Sequence, residues 1–287
     1  MVTPYEQYLK LAKVLSLNDL YFKREDLHPY GSHKGRSIPV MIDHYKTIGK
    51  KKFAISSSGN AALAAALYIK ELNDPSISLD IFVGQNIAPC KLEKIKSAIN
   101  QHTNVYIKER PLQAVSEAVR EGATSLRQSS DDEALVGYRA LAEEISYIHN
   151  VGAVFIGSSS GSTAQALATY FIEKKLPIQV HIVQTSATHA LSDAFNVCDK
   201  EEETSLADAI VDKTALRKNA LIPLIKKTGG TGWCAINEDI ETAISLVKTY
   251  AGIEISPNGV LSVVGAMKAG HVGYEIKGST VCIITGE

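Results

Sequence analysis

The chain has no pair of cysteines close together in sequence. Its four, Cys90, Cys198, Cys234 and Cys282, lie far apart. No Cys-x-x-Cys motif is available for a zinc ribbon or a thioredoxin-type exchange site. Scattered thiols of this kind are expected as core residues of a protein in the reducing cytoplasm. The eight histidines are equally dispersed, with no His-Glu-x-x-His pattern, so no metal is expected. Long apolar runs are missing too. None approaches the ~20 residues a membrane span needs, and the start, Met1-Val2-Thr3-Pro4-Tyr5-Glu6-Gln7, has neither the basic nor the apolar region of a signal peptide. An excess of one charge is also lacking. A net charge of −1 gives no basic surface for nucleic acid. Repeats, low-complexity tracts and flexible linkers are absent. No further domain follows Glu287, so allosteric control is not expected.

What is present is a regular alternation of strand-like and helix-like segments over 287 residues, enough for one large domain or two ordinary ones. Leu20-Tyr21-Phe22 reads as a short apolar strand. Phe53–Ser56, Leu79–Gly84 and Asn104–Ile107 read as strands, each followed by a helix: Ala61–Leu72, Pro89–Asn100 and Leu112–Gly122. A helix over Gly137–His149 carries Glu143 and Glu144 beside an apolar stripe of Leu141, Ile145 and Ile148. Strand Ala153–Ile156, helix Ser162–Lys174 and strand Gln179–Val183 follow, then a polar, acid-rich stretch from Asn196 to Thr204 expected as a surface loop. No element is assigned between residues 205 and 279. Thr280–Ile284 is a last apolar strand. The pattern predicts an α/β architecture of two domains, each a largely parallel sheet flanked by helices. Residues 40–135 form a small domain inserted into a larger one built from 1–39 and 136–287.

Chemistry concentrates in three segments. The first runs from Lys23 to Lys34, Lys-Arg-Glu-Asp-Leu-His-Pro-Tyr-Gly-Ser-His-Lys, and places Lys34 after a Gly-Ser turn at the mouth of a helix. A lysine there has a fixed backbone and a mobile amine, as a lysine bound to an aldehyde cofactor needs. A solvated surface charge satisfies the same sequence. The second is Ser56-Ser57-Ser58-Gly59-Asn60, between a strand and a helix. Its hydroxyls and the helix-start N–H groups make an anion pocket suited to a carboxylate. One serine would cap the helix, and the segment holds more than a cap requires. The third is Gly157-Ser158-Ser159-Ser160-Gly161-Ser162-Thr163, again between a buried strand and a helix. It suits a phosphate bound without metal. It is neither a Walker loop nor a dinucleotide fingerprint, since the Gly-Lys-Ser/Thr ending and the Gly-x-Gly-x-x-Gly spacing are both missing.

These motifs in this order resemble the fold-type II pyridoxal-phosphate-dependent enzymes, the group of threonine synthase, serine and threonine dehydratases, cysteine synthase and the tryptophan synthase β chain. The resemblance extends over nearly the whole chain, and Ile284-Thr285-Gly286-Glu287 is similar to the segment that sets a hydroxyl against the pyridine nitrogen. It implies pyridoxal 5′-phosphate as cofactor, with Lys34 as Schiff-base lysine and catalytic proton carrier. Asn60 would contact the cofactor 3′-oxygen, Ser159, Ser160, Gly161, Ser162 and Thr163 its phosphate, and Thr285 its ring nitrogen. Ser57, Ser58, Gly59 and Ala61 would hold the substrate carboxylate. The expected protein is a cytoplasmic homodimeric lyase of amino-acid metabolism, acting by elimination or replacement on a small hydroxy- or phosphohydroxy-amino acid. Threonine synthase-like chemistry leads, with serine/threonine ammonia-lyase as the alternative. A cofactor-binding but catalytically weak partner subunit, or an α/β protein binding a sugar phosphate or nucleotide through the third segment alone, are readings of other classes. Two departures stand out. Gly35-Arg36-Ser37 follows Lys34 where the threonine synthase branch has Asp-Arg-Gly, and the phosphate segment is richer in serine. His33, Arg36 and Arg139 are candidate cations for a substrate phosphate.

Overall fold

A computed structural model describes residues 2–195, 198 and 200–287. Of the stretch 196–204 expected as a surface loop, Asn196, Val197 and Asp199 lie outside the described residues. Lys200–Thr204 has neither helix nor strand. The chain opens with β1 (Tyr5–Gln7), α1 (Leu9–Val14) and β2 (Leu20–Arg24). It continues through α2 (Lys34–Thr47), β3 (Lys52–Ser56), α3 (Asn60–Leu72), β4 (Ser78–Gly84), α4 (Pro89–Ala98), β5 (Thr103–Lys108), α5 (Pro111–Arg120), β6 (Thr124–Ser125) and α6 (Glu133–Val136). The remainder is α7 (Arg139–Ser146), β7 (Val151–Gly157), α8 (Ser162–Glu173), β8 (Gln179–Thr185), α9 (Lys218–Thr228), β9 (Gly232–Ala235), α10 (Asn237–Ala251), α11 (Pro257–His271) and β10 (Ser279–Ile284).

Two compact units result, Met1–Leu27 with Tyr138–Glu287, and His28–Gly137. In the first, a six-stranded sheet runs in the order β1-β2-β10-β7-β8-β9. Only β1 is antiparallel to its neighbour. The last strand in the sequence, β10, lies inside the sheet, with Cys282 paired to Phe22 on one side and Phe155 on the other. Its residues are buried on both faces, which explains an uninterrupted apolar run instead of alternation. Ile240, Ala243 and Val247 of α10 pack with Val260, Leu261, Val263 and Val264 of α11 onto Phe22, Phe155 and Val183. Gly265 sits where a Cβ would collide with Val183 and come within 3.0 Å of Phe155, so α11 rests close on the sheet.

Beneath α11, His181 on β8 is fully buried, stacked on Phe155 with centroids 4.3 Å apart. Its Nδ1 accepts from Thr231 N and Trp233 Nε1, both at 3.3 Å. Burial lowers its pKa from 6.5 to about 3, which keeps the ring neutral. The cysteines depart from the expectation of free core thiols. Cys198 and Cys234, 36 residues apart in sequence, form a disulfide with Cα atoms at 5.6 Å. Cys282 is a buried thiol whose pKa burial pushes up, and Cys90 is free and exposed.

In the second unit β5-β4-β3-β6 form a parallel sheet. Ile38, Met41 and Ile42 of α2 join Phe53, Ile55, Ala62, Leu63 and Ala66 in its core. The expected boundaries at 39 and 135 and the observed ones at 27 and 137 therefore differ most over residues 28–39. Pro39 lies inside one continuous helix, α2, whose Ile38, Met41 and Ile42 belong to the core of the smaller unit. The helix carries Lys34 into the smaller unit.

Candidate active site

In the smaller unit, Lys34 is the first residue of α2 and is half-exposed, behind buried Ser32 and His33. Its backbone N–H donates to Ser32 Oγ at 3.2 Å, which fixes the main chain and leaves the amine to move. The next position has a steric cause for its identity. A Cβ on Gly35 would overlap the His28 ring and lie 2.9 Å from Tyr30 Cβ. The His28 ring is itself held by the Tyr30 N–H, at 3.2 Å from Nδ1. No aspartate fits there. His33 and Arg36 are both buried at the head of α2. Arg139, on α7 of the other unit, is instead exposed, paired with Glu173 at 2.8 Å and lying over the Tyr170 ring.

The carboxyl end of β3 delivers Ser57, Ser58 and Gly59 to α3, where Asn60 is the first helical residue and Ala61 the second. Gly59 N–H donates to Ser57 Oγ at 3.3 Å, and Ser58 is exposed. Gly59 has φ −137°, and a Cβ there would meet nothing within 4 Å. The turn is open. Core contacts of Ile38, Met41 and Ile42 with Ala62, Leu63 and Ala66 clamp α2 on α3, and a Cβ on Gly31 would touch Leu63 at 3.0 Å. Lys34 and the Ser57–Ala61 turn are thus brought to neighbouring helix starts within one unit.

In the larger unit the Gly157–Thr163 loop lies at the carboxyl end of a parallel strand, where open α/β sheets bind ligands. Ile156 pairs with Ile283. Gly157 and Ile284 therefore come next side by side, and the loop beginning at Gly157 adjoins buried Thr285 across a strand spacing of ~4.8 Å. Gly161 caps α8 in the left-handed conformation at φ +83°, and a Cβ there would lie 2.5 Å from Leu221 Cδ2. Ser162 and Thr163 open α8, both buried. The first N–H groups of a helix lack intrahelical acceptors and its dipole favours an anion.

Three residues that the sequence reading did not single out brace this loop. Gln184 of β8 is fully buried, and its Nε2 donates to Ser158 O at 3.0 Å and Ser159 O at 3.3 Å. Its Oε1 accepts from Leu191 N at 2.7 Å and Ser192 N at 3.0 Å. Ser159 Oγ donates to Asp212 Oδ2 at 2.9 Å and accepts from the N–H groups of Val211 and Asp212, each at 3.1 Å. Its hydroxyl is fully engaged, so what Ser159 offers an anion is its backbone. Arg217, buried, donates through Nε to Ser162 Oγ and through Nη1 to Gln165 Oε1, each at 3.1 Å. The only signal for these in sequence is their polarity in apolar surroundings, as at Gln184 after Val180–Val183. Among the described residues no group of His, Cys, Asp and Glu could hold a metal ion, and no helix is long and apolar enough to cross a membrane.

The sequence pattern of the family described as pyridoxal-phosphate dependent enzyme matches residues 1–286. Threonine synthase of Methanosarcina acetivorans is 24% identical, over 99% of this chain and 74% of its own length. Threonine synthase of Mycobacterium leprae is 23% identical, over 93% of this chain and 76% of its own. Among solved structures, a pyridoxal 5′-phosphate-dependent aspartate racemase superimposes with TM-score 0.83 at 18% identity, covering 100% of this chain and 90% of that one. Processed threonine deaminase isoform 2 of Solanum lycopersicum gives TM-score 0.81 at 21% identity, covering 99% and 78%. The structural matches establish a shared fold.

Proposed function

The chain belongs to the family of pyridoxal-phosphate dependent enzymes, and on that premise we propose that it is a lyase of threonine synthase-like chemistry acting on a small phosphohydroxy-amino acid. Its cofactor is pyridoxal phosphate. The donor set fits that group. The Gly157–Thr163 loop has hydroxyls, a helix start and no carboxylate of its own, and a neutral hydroxyl, Thr285, follows the strand beside it. When bound, the cofactor supplies an electron sink for charge developing at the substrate Cα.

The observation that carries the reaction class is Thr285, a buried hydroxyl following β10 beside the loop. Thr285 would donate to the ring nitrogen without protonating it, which would weaken the sink. That favours loss of a β or γ substituent over transamination. Lys34 Nζ would hold the cofactor and, once free, would carry the proton from the substrate Cα. Asn60 would contact the ring 3′-oxygen. Ser57, Ser58, Gly59 and Ala61 hold the substrate carboxylate with hydroxyl and backbone donors. Ser160, Gly161, Ser162 and Thr163 take the phosphate, joined by the backbone of Ser159. Arg36 and His33 would meet a phosphate on the substrate. The working unit in this reading is a homodimer.

A second reading, ammonia-lyase chemistry on serine or threonine, is favoured by Gly35. The His28 ring excludes the acid that the threonine synthase branch carries after its lysine. Incubation with phosphohomoserine and with threonine separates the two. Release of inorganic phosphate supports the first reading, and release of a keto acid from threonine supports the second. Cofactor uptake with turnover of neither would overturn both and leave a cofactor-binding partner chain.

A further inference from the structure

Resting on the assignment of the Gly157–Thr163 loop to the cofactor phosphate, we propose that Arg217 is a positioning residue that orients Ser162 and, through it, the Ser160 hydroxyl as a proton donor to that phosphate. The residue arrives on an irregular strap that is pinned along its length. Glu202 accepts from Ser186 Oγ at 2.6 Å and Asn237 N at 2.9 Å. Asn237 bridges Thr204 O and Leu206 N, at 3.1 Å and 2.8 Å. Asn258 accepts from Ala209 N at 2.9 Å and donates to Asp208 at 3.1 Å. The strap then clasps Ser159 through Val211 and Asp212, and ends at Arg217, immediately before α9.

The directions of the hydrogen bonds follow from the chemistry of the groups. A guanidinium has five donors and no acceptor, and a hydroxyl has one proton to give. At the contact of Arg217 Nε with Ser162 Oγ the serine must accept. A hydroxyl that accepts from a cation is polarised and becomes a stronger donor. Ser162 Oγ lies 3.0 Å from Ser160 Oγ, a pair in which distance alone allows either direction. Donation by Arg217 favours the order Arg217 to Ser162 to Ser160, with the last proton pointed at an anion. At Ser159 the polarity is opposite, since its proton goes to the Asp212 carboxylate. The serines of this loop therefore divide into a clasp, Ser159, and a donor relay, Ser162 and Ser160. The relay recognises the phosphate and not the ring, so it makes a distinction that a purely structural arginine would not.

The test is titration of the cofactor-free protein with pyridoxal 5′-phosphate and, separately, with pyridoxal, which lacks the phosphate. Arg217→Ala is expected to weaken pyridoxal phosphate binding ~10–100-fold while pyridoxal binding changes by no more than about threefold. Arg217→Lys, which keeps a cationic donor, is expected to recover part of the loss. Ser162→Ala should reproduce the phosphate-selective loss, and the double variant should fall short of the product of the two single effects. Thermal melting checks the fold of each variant. Should Arg217→Ala fail to fold, Ser162→Ala and Arg217→Lys carry the same comparison. Equal weakening of both ligands, unchanged pyridoxal phosphate affinity, or fully additive single effects would overturn the relay. Failure of the unaltered protein to take up pyridoxal phosphate would instead overturn the assignment of the loop.

Discussion

Two strand-to-helix turns of this chain look alike in sequence and are built for opposite behaviour. After β3 the turn Ser57-Ser58-Gly59 has one internal hydrogen bond, an exposed serine, and open space around its glycine. After β7 the loop Ser158–Ser162 is tied to β8 by Gln184, to the strap by Asp212, and to Arg217 before α9 through Ser162. Its glycine is left-handed and pressed by Leu221. An open turn suits a carboxylate that enters and leaves in every catalytic cycle. A clasped loop suits a phosphate that stays. The number of serines does not distinguish the two tasks, and the bracing does.

The comparison breaks most readily at the glycines. Gly161→Ala forces a side chain into the left-handed region, which costs roughly 1–2 kcal/mol, and it must also displace Leu221. A total loss of about 3 kcal/mol in denaturant unfolding is expected, with poor cofactor retention. Gly59→Ala should change stability by less than ~1 kcal/mol, because its φ is negative and a Cβ there meets nothing within 4 Å. Equal losses would erase the distinction.

Acid should discriminate between the units as well. The folded pKa of His181 is depressed to about 3 against 6.5 unfolded, so the unfolded chain binds the extra proton between those values. Stability from its neutral burial is fully present above pH 6.5 and is lost as pH falls toward 3. At pH 5 the loss is about 2 kcal/mol. Hydrogen exchange at pH 7 and pH 5 should show the larger unit, which holds β8 and the clasped loop, losing protection first. No acid-dependent difference between the two units would contradict this.

A smaller effect is expected from Ser57→Ala. Loss of one carboxylate donor should raise KM about tenfold and leave cofactor affinity unaltered, the reverse of the pattern predicted for Ser162→Ala. Steady-state kinetics together with a cofactor titration separate these outcomes. The smallest change concerns Thr185, at the carboxyl end of β8, whose buried hydroxyl has no hydrogen-bond partner among the described residues. Alternation along the strand puts it on the face opposite Gln184, the side where α11 packs. Thr185→Val should be neutral within ~0.5 kcal/mol or stabilising, with cofactor affinity unchanged. A loss of cofactor affinity would make that hydroxyl part of the binding site.

Both turns were legible in the sequence because each sits between an apolar run and a helix with a serine-rich start, a local pattern. Lys34 was legible by its Gly-Ser turn. The bracing was not, because Gln184, Asp212 and Arg217 meet the loop only through the fold, and nothing local marks a polar residue as a clasp. The Cys198–Cys234 disulfide escaped for the same reason, with 36 residues between its ends. Helix α11 was hidden by its burial. Gly259, Gly265 and Gly270 interrupt a run of valines that is packed on most sides, so no amphipathic period survives. Helix α10 did carry such a period, in Ile240, Ala243 and Val247, and could have been read. The boundary at residue 27 was not legible, because α2 joins the core of the smaller unit only through the contacts of Ile38, Met41 and Ile42.

The claim on which the rest depends is that Lys34 holds the cofactor. Borohydride reduction of the pyridoxal-phosphate-loaded protein fixes the cofactor to its lysine, and peptide mass spectrometry then locates it. The account predicts a single modified residue, Lys34, and loss of both the modification and the visible absorption band in Lys34→Ala. A label on another lysine, or a band that survives in Lys34→Ala, would contradict it.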